Sequence, residues 1–201
     1  MPPQWMLDNK WYVVEIEQQL FKRCSENPGL YLNLGCGDRM LEGFLNIDKY
    51  TRHPDVFNDD IITIATIKDA SVDVVFSAHS LEHLSIRDAY CALRRWSNVL
   101  KIGGKLYLSM PDLKLIAREL LEESLTYDRY QILRFALYGY QVPNTAPRDS
   151  IEVDPSQFHY SGFCLQEMVE TLQSYGIERE LSIEFDGNGT PSFFVIGVRN
   201  V

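Results

Sequence analysis

Two glycines one residue apart, closed by an acid, are the part of this sequence best suited to hold a ligand. Tyr31 to Asp38 reads YLNLGCGD, a short apolar run with Leu32 and Leu34 followed by Gly35-Cys36-Gly37. Glycine reaches backbone angles and close approaches that a Cβ forbids, so a buried strand ending in an abrupt turn is expected, with a ligand site beside it. A second apolar run, Leu45-Asn46-Ile47, ends in Asp48. An ionised carboxylate only accepts hydrogen bonds, which suits Asp48 to the paired hydroxyls of a ribose. Ligands of open α/β sheets sit beyond the carboxyl ends of strands, where both features fall. His79 and His159 are the candidates for a general base, because imidazole titrates near neutrality. His83, four residues past His79, reads as a packing or capping residue near a helix start.

These groups need a scaffold, and hydrophobic periodicity outlines one. Val13, Ile16, Leu20 and Cys24 recur at helical spacing, predicting a leading amphipathic helix within residues 1–29 that Asn27-Pro28-Gly29 ends. Trp5, Trp11 and Tyr12 are expected to pack that helix onto a sheet or to wall a pocket. Asp55-Val56-Phe57 reads as a short strand. Val72, Val74, Val75 and Phe76 predict a central parallel strand ending at Ser77-Ala78-His79. Ser85 and Asp88 have capping-box-like spacing before a helix face of Ile86, Tyr90, Leu93, Ser97 and Leu100, closed by Gly103-Gly104. Residues 105–110 form the next strand, and Leu113, Ile116, Ala117, Leu120 and Leu121 the next helical stripe.

Tyr127, Tyr130, Phe135, Tyr138 and Tyr140 predict a further helix, followed by a loop with Pro143, Pro147 and Pro155 that runs to Tyr160. Residues 126–160 are therefore read as an insertion, since a long irregular loop is commonly a lid or binding loop. Ser161 is expected to cap a helix bearing Leu165, Met168, Val169 and Leu172 that ends at Gly176. Strand-like residues 177–185 and 192–199, joined across Asp186-Gly187-Asn188-Gly189-Thr190-Pro191, predict a C-terminal hairpin. Strand and helix alternate throughout, which argues for one α/β domain over residues 1–201 with a doubly wound, mostly parallel sheet.

With 19 basic and 28 acidic residues, the net charge is −9 and no basic block offsets it, so a nucleic-acid partner is not expected. Cys24, Cys36, Cys91 and Cys164 are scattered without a CxxC pair, which favours reduced thiols and gives no metal site. Neither a basic-then-apolar leader nor a membrane-length apolar run is present, so the expectation is a cytoplasmic protein.

Five stretches together resemble the class I S-adenosylmethionine-dependent methyltransferases: LNLGCGD at 32–38, NIDKY at 46–50, NDDI at 58–61, VDVVFSAHSLEHL at 72–84 and LKIGGKLYLSMPD at 100–112. The resemblance implies a Rossmann-like sheet of seven strands with the antiparallel hairpin at its end, and an insertion at 126–160 on the substrate side. It also implies S-adenosylmethionine as cofactor, contacted by Gly35, Cys36, Gly37, Asp48, Lys49, Asp60, Ile61, Ser77 and His79. Asp48 follows Gly37 by only 11 residues, too few for a full helix plus a strand, so the first crossover is similar to that of the family branch in which it is shortened.

The sulfonium already activates the methyl group, so a dedicated catalytic residue is optional. His79 and His159 would serve an oxygen nucleophile, which needs its proton removed. The Asp/Asn-Pro-Pro-Tyr cluster of enzymes that methylate exocyclic amines is absent, leaving an unidentified small-molecule acceptor as the expected substrate. A nicotinamide-dependent oxidoreductase or epimerase would need a third glycine where Met40 stands. A non-catalytic module that keeps the cofactor or binds a partner remains the alternative. Valine at Gly35 or Gly37 is expected to abolish binding and leave the fold largely intact.

Overall fold

The architecture is given by a computed structural model that describes residues 3–139 and 155–201. Helix α1 (Gln4–Glu26) leads into β1 (Tyr31–Leu34), β2 (Leu45–Ile47) and β3 (Val72–Ala78). A single 3-10 turn (Leu81–His83), α2 (Ile86–Val99), β4 (Leu100–Pro111), α3 (Leu113–Leu120) and α4 (Tyr127–Tyr138) follow. After a 3-10 turn at Pro155–Gln157 come α5 (Leu165–Ser174), β5 (Ile177–Gly187) and β6 (Thr190–Arg199). The strands form one sheet in the order β2-β1-β3-β4-β6-β5, parallel from β2 to β4 and antiparallel across β4-β6-β5. The C-terminal pair is thus the expected hairpin, turned on Asn188 and Gly189, whose φ values of 61° and 92° suit a two-residue connection.

The described residues contain six strands, not seven. The predicted strand at Asp55-Val56-Phe57 shrinks to one parallel bridge between Ile47 and Phe57. Phe57 donates its N–H to Asn46 O and Asp48 donates to Phe57 O, but no further residue continues the ladder. As expected, no helix separates β1 from β2. The short crossover is instead held by two buried amides. Asn33 Nδ2 donates to Arg39 O (2.9 Å) and to Asn46 Oδ1 (2.8 Å), while Asn46 exchanges hydrogen bonds with the N–H and carbonyl of Leu41. Those bonds satisfy backbone groups that a helix would have satisfied itself.

Both sheet faces are covered. On one face, α2 and α5 bury Leu93, Trp96, Met168 and Leu172 against Leu32, Val75 and Leu106. On the other, α1 lays Val13, Leu20 and Cys24 against Phe76, Tyr107 and Phe194. Trp5, Trp11 and Tyr12 take no part in that packing: Trp11 is 71% exposed and the other two are about half exposed. Trp5 and Tyr12 instead border a cavity of about 400 Å³ against Ser182, Ile183 and Glu184 of β5.

Three local expectations shift. Helix α2 closes at Val99, and Gly103-Gly104 lie within β4, where the β3–β4 register slips between Val72 and Val74. Ser161 does not cap α5. Cys164 is its N-cap without a side-chain bond, Ser161 Oγ donates to Leu81 O, and Asp112 Oδ2 accepts the Leu165 N–H instead. Asp112 is fully buried and also caps α3 through the N–H groups of Lys114 and Leu115, so one carboxylate fastens the starts of two helices. The predicted Tyr140, Pro143 and Pro147 lie outside the described residues.

Candidate functional site

A cleft of about 630 Å³ opens beyond the carboxyl ends of β1, β2 and β3. Its floor is the glycine turn. Gly35 takes φ +68° and Gly37 φ +48°, the left-handed region that a side chain makes costly. The two glycines serve different ends. A Cβ at Gly35 would stand 2.3 Å from the Cβ of Ser80, whereas one at Gly37 would meet nothing within 4 Å and would project into open space. The expectation that valine at either position spares the fold therefore fails for Gly35, which is pressed against the chain after β3.

Asp48, at the end of β2, fastens this floor. Its Oδ2 accepts the Gly37 N–H (3.0 Å), and its Oδ1 accepts those of Tyr50 (2.7 Å) and Thr51 (2.9 Å). A carboxylate offers about four acceptor positions, so the geometry leaves Asp48 capacity for a ligand hydroxyl. Across the cleft, Asp60 accepts the Ile62 N–H and pairs with Lys49 at 2.9 Å. Burial opposes the Asp60 charge, but Lys49 and the Ile62 N–H outweigh it and hold the carboxyl below its usual range. Lys49 is correspondingly held above its ordinary value by that hydrogen bond. Ile61 is buried beside them, and its carbonyl accepts the Trp96 indole N–H at 2.8 Å. Arg95 adds hydrogen bonds to the carbonyls of Thr63, Ile64 and Ile67, so α2 pins the whole wall.

His79 forms the third side. It follows β3 with φ +52°, a strained value for a residue with a Cβ, and its N–H donates to Ser109 O. Its Nδ1 stands 3.2 Å from Glu82 Oε1. Burial lowers the imidazole's affinity for a proton, but the Glu82 carboxylate outweighs this and holds His79 above its ordinary value. Burial likewise opposes charge on Glu82, and His79, with smaller help from His83 and His159, holds it below the usual carboxylate range.

The cleft thus brings together Gly35, Cys36, Gly37, Asp48, Lys49, Asp60, Ile61 and His79. Ser77 is a correction. It is fully buried, its hydroxyl bonds to Leu34 O and to Ser80 Oγ, and it supports the floor from beneath without lining the cleft. His159 does not line the cleft itself: it lines a neighbouring cavity of about 240 Å³ between α3, α4 and the segment 159–162, and its Nδ1 is tied to Ala136 O. Burial pushes its imidazole below its ordinary value. Tyr160 borders both cavities. Sequence reasoning missed Tyr50 on the cleft wall, Thr51 and Gln157, which lie outside the quoted stretches, and buried Glu82, which an isolated reading takes for an ordinary solvated acid.

Residues 32–108 match the sequence profile of a family described as a methyltransferase domain. No curated protein matches the chain. Among solved structures, the chain is similar to an S-adenosylmethionine-dependent methyltransferase from Methanosarcina mazei, with 16% identity and a TM-score of 0.63 over 90% of this chain and 97% of that one. It is similar to magnesium protoporphyrin IX methyltransferase from Synechocystis, solved with bound S-adenosylhomocysteine, with 13% identity and a TM-score of 0.59 over 95% and 83%. A third similar structure is 1,6-didemethyltoxoflavin-N1-methyltransferase from Burkholderia thailandensis, with 12% identity and a TM-score of 0.56 over 96% and 84%.

Proposed function

We propose that this chain, whose residues 32–108 match the methyltransferase-domain family and whose fold is that of the class I methyltransferases, is an S-adenosylmethionine-dependent methyltransferase acting on a small-molecule acceptor. The observation that carries this reading is the cleft floor, where a left-handed glycine turn and the Asp48 carboxylate meet beside open space at Gly37. Its volume falls within the roughly 300–1,000 Å³ usual for small-ligand sites.

In this reading Asp48 accepts the ribose hydroxyls, and the Gly35–Gly37 turn lets the backbone approach the amino-acid end of the cofactor. Ile61 packs on the adenine, and Asp60, steadied by Lys49, accepts from its amino group. When bound, the cofactor supplies a methyl group already activated by its sulfonium. The chain's task is then alignment, which can contribute about 7–11 kcal/mol to lowering the barrier. The acceptor enters from the α3–α4 side, through the cavity that shares Tyr160 with the cleft. The Synechocystis and Burkholderia enzymes, whose names specify a porphyrin and a toxoflavin precursor, support a small-molecule acceptor.

Calorimetric titration with S-adenosylmethionine, S-adenosylhomocysteine and NAD tests the proposal. The two sulfur nucleosides are expected to bind and NAD is not. Binding without turnover across an acceptor panel would favour the non-catalytic module, and NAD binding alone would overturn the reading.

A further inference from the structure

Glu82 is 1% exposed, and among the described residues neither of its carboxylate oxygens has a hydrogen-bond partner. The Nδ1 of His79 lies 3.2 Å away but off the line of a hydrogen bond. A buried, unsatisfied carboxylate is costly unless a cation compensates it. Among the described residues, the groups that lower its pKa are the imidazoles of His79, His83 and His159. The rings of His83 and His159 meet edge to face with centroids 4.8 Å apart. One ligand atom from each of Glu82, His83 and His159 lies within 4.8 Å of the others.

The orientation of the two rings is informative. His83 Nδ1 contacts Phe158 O at 3.0 Å, and His159 Nδ1 contacts Ala136 O at 2.8 Å. A carbonyl can only accept, so each Nδ1 carries the proton and each neutral ring keeps its lone pair on Nε2. Tying the far nitrogen to a carbonyl is how proteins orient a histidine that ligates a metal. Ligands sharing an ion at roughly 2.0–2.2 Å lie about 3–4 Å from one another, so slight rotations would close the set.

We propose that Glu82, His83 and His159 form a binding site for a divalent ion of the manganese-to-zinc series. Two imidazole nitrogens with one carboxylate favour such ions over magnesium or calcium, which prefer oxygen alone. His83 faces the cofactor cleft and His159 the neighbouring cavity, so the ion sits in the wall between them. Its open coordination positions would hold an acceptor oxygen beside the cofactor, which selects hydroxyl-bearing acceptors. That extension rests on the methyltransferase reading, whereas the metal site does not.

The test is calorimetric titration of chelator-treated protein with Zn²⁺, Mn²⁺ and Mg²⁺, alongside electron spin resonance of the Mn²⁺ form. Wild type is expected to take up one equivalent of Zn²⁺ or Mn²⁺, with ¹⁴N couplings from histidine, and to prefer both over Mg²⁺. Glu82→Gln and His159→Asn should each weaken binding by about tenfold or more, while His53→Asn, at an exposed site, should not. Absence of saturable Zn²⁺ or Mn²⁺ binding to wild type, or unchanged affinity in the folded Glu82→Gln and His159→Asn proteins, would overturn the site. S-adenosylhomocysteine titrated into the same wild-type preparation separates a failed metal site from a failed cofactor reading.

Discussion

The Asp48 carboxylate accepts the Gly37 N–H across 3.0 Å, so the end of β2 fixes the turn that ends β1. One acid shapes the floor of the cleft and, in the proposed reading, keeps an acceptor position for the cofactor's ribose. Asp48→Ala removes both, together with the acceptors for Tyr50 and Thr51. A charge-assisted hydrogen bond contributes about 1.5–3 kcal/mol, so S-adenosylhomocysteine affinity should fall by roughly 10- to 150-fold. Calorimetry checks this, and unchanged affinity would take Asp48 out of the binding site.

The two glycines should separate stability from binding. Gly35→Ala places a Cβ against Ser80 at φ +68° and should lower Tm sharply. Gly37→Ala at φ +48° should cost only the left-handed strain, about 1–2 kcal/mol, while intruding on the cleft. Thermal melts beside cofactor titrations distinguish them. A stable Gly35→Ala protein would show that the collision relaxes freely.

The wall beyond Tyr160 depends on a buried ion pair. Arg129 donates to both carboxylate oxygens of Glu119, at 2.7 and 2.8 Å, and to the Gly189 carbonyl, tying α3, α4 and the C-terminal hairpin together. Arg129→Ala strands the Glu119 carboxylate and should cost about 3 kcal/mol, a fall in Tm on the order of 10 °C. A shift of only a degree or two would place the pair among weak surface bridges.

Cys36 lines the cleft, yet burial, reinforced by Asp48, pushes its thiol up to about 11. Only about one molecule in a thousand is then thiolate at pH 8, and thiolate is the reactive form. Iodoacetamide should modify exposed Cys91 well before Cys36, and Cys36 should speed up only as pH approaches 11. Peptide mass spectrometry at several pH values reads this, and bound S-adenosylhomocysteine should slow Cys36 further. Equal rates at pH 8 would contradict the burial.

The sequence determined the parts whose cause is local. Helical and strand periodicity foretold α1, β3, α3 and α5, glycine chemistry foretold the turn after β1 and the hairpin, and short spacing foretold a crossover without a helix. Asp48 and His79 were legible as cleft residues because each closes an apolar run, while Asp60 and Ile61 were marked only by the family resemblance of their stretch. Other features depended on partners far away in the chain, which periodicity does not encode. Phe57 pairs with β2 for one residue only, Ser77 turns inward to Leu34, and Asp112 takes over from Ser161 at the start of α5. Only the tertiary structure set Glu82 among three histidines, because the fold carries His159 from beyond α4 to the end of β3 and closes that carboxylate off from water.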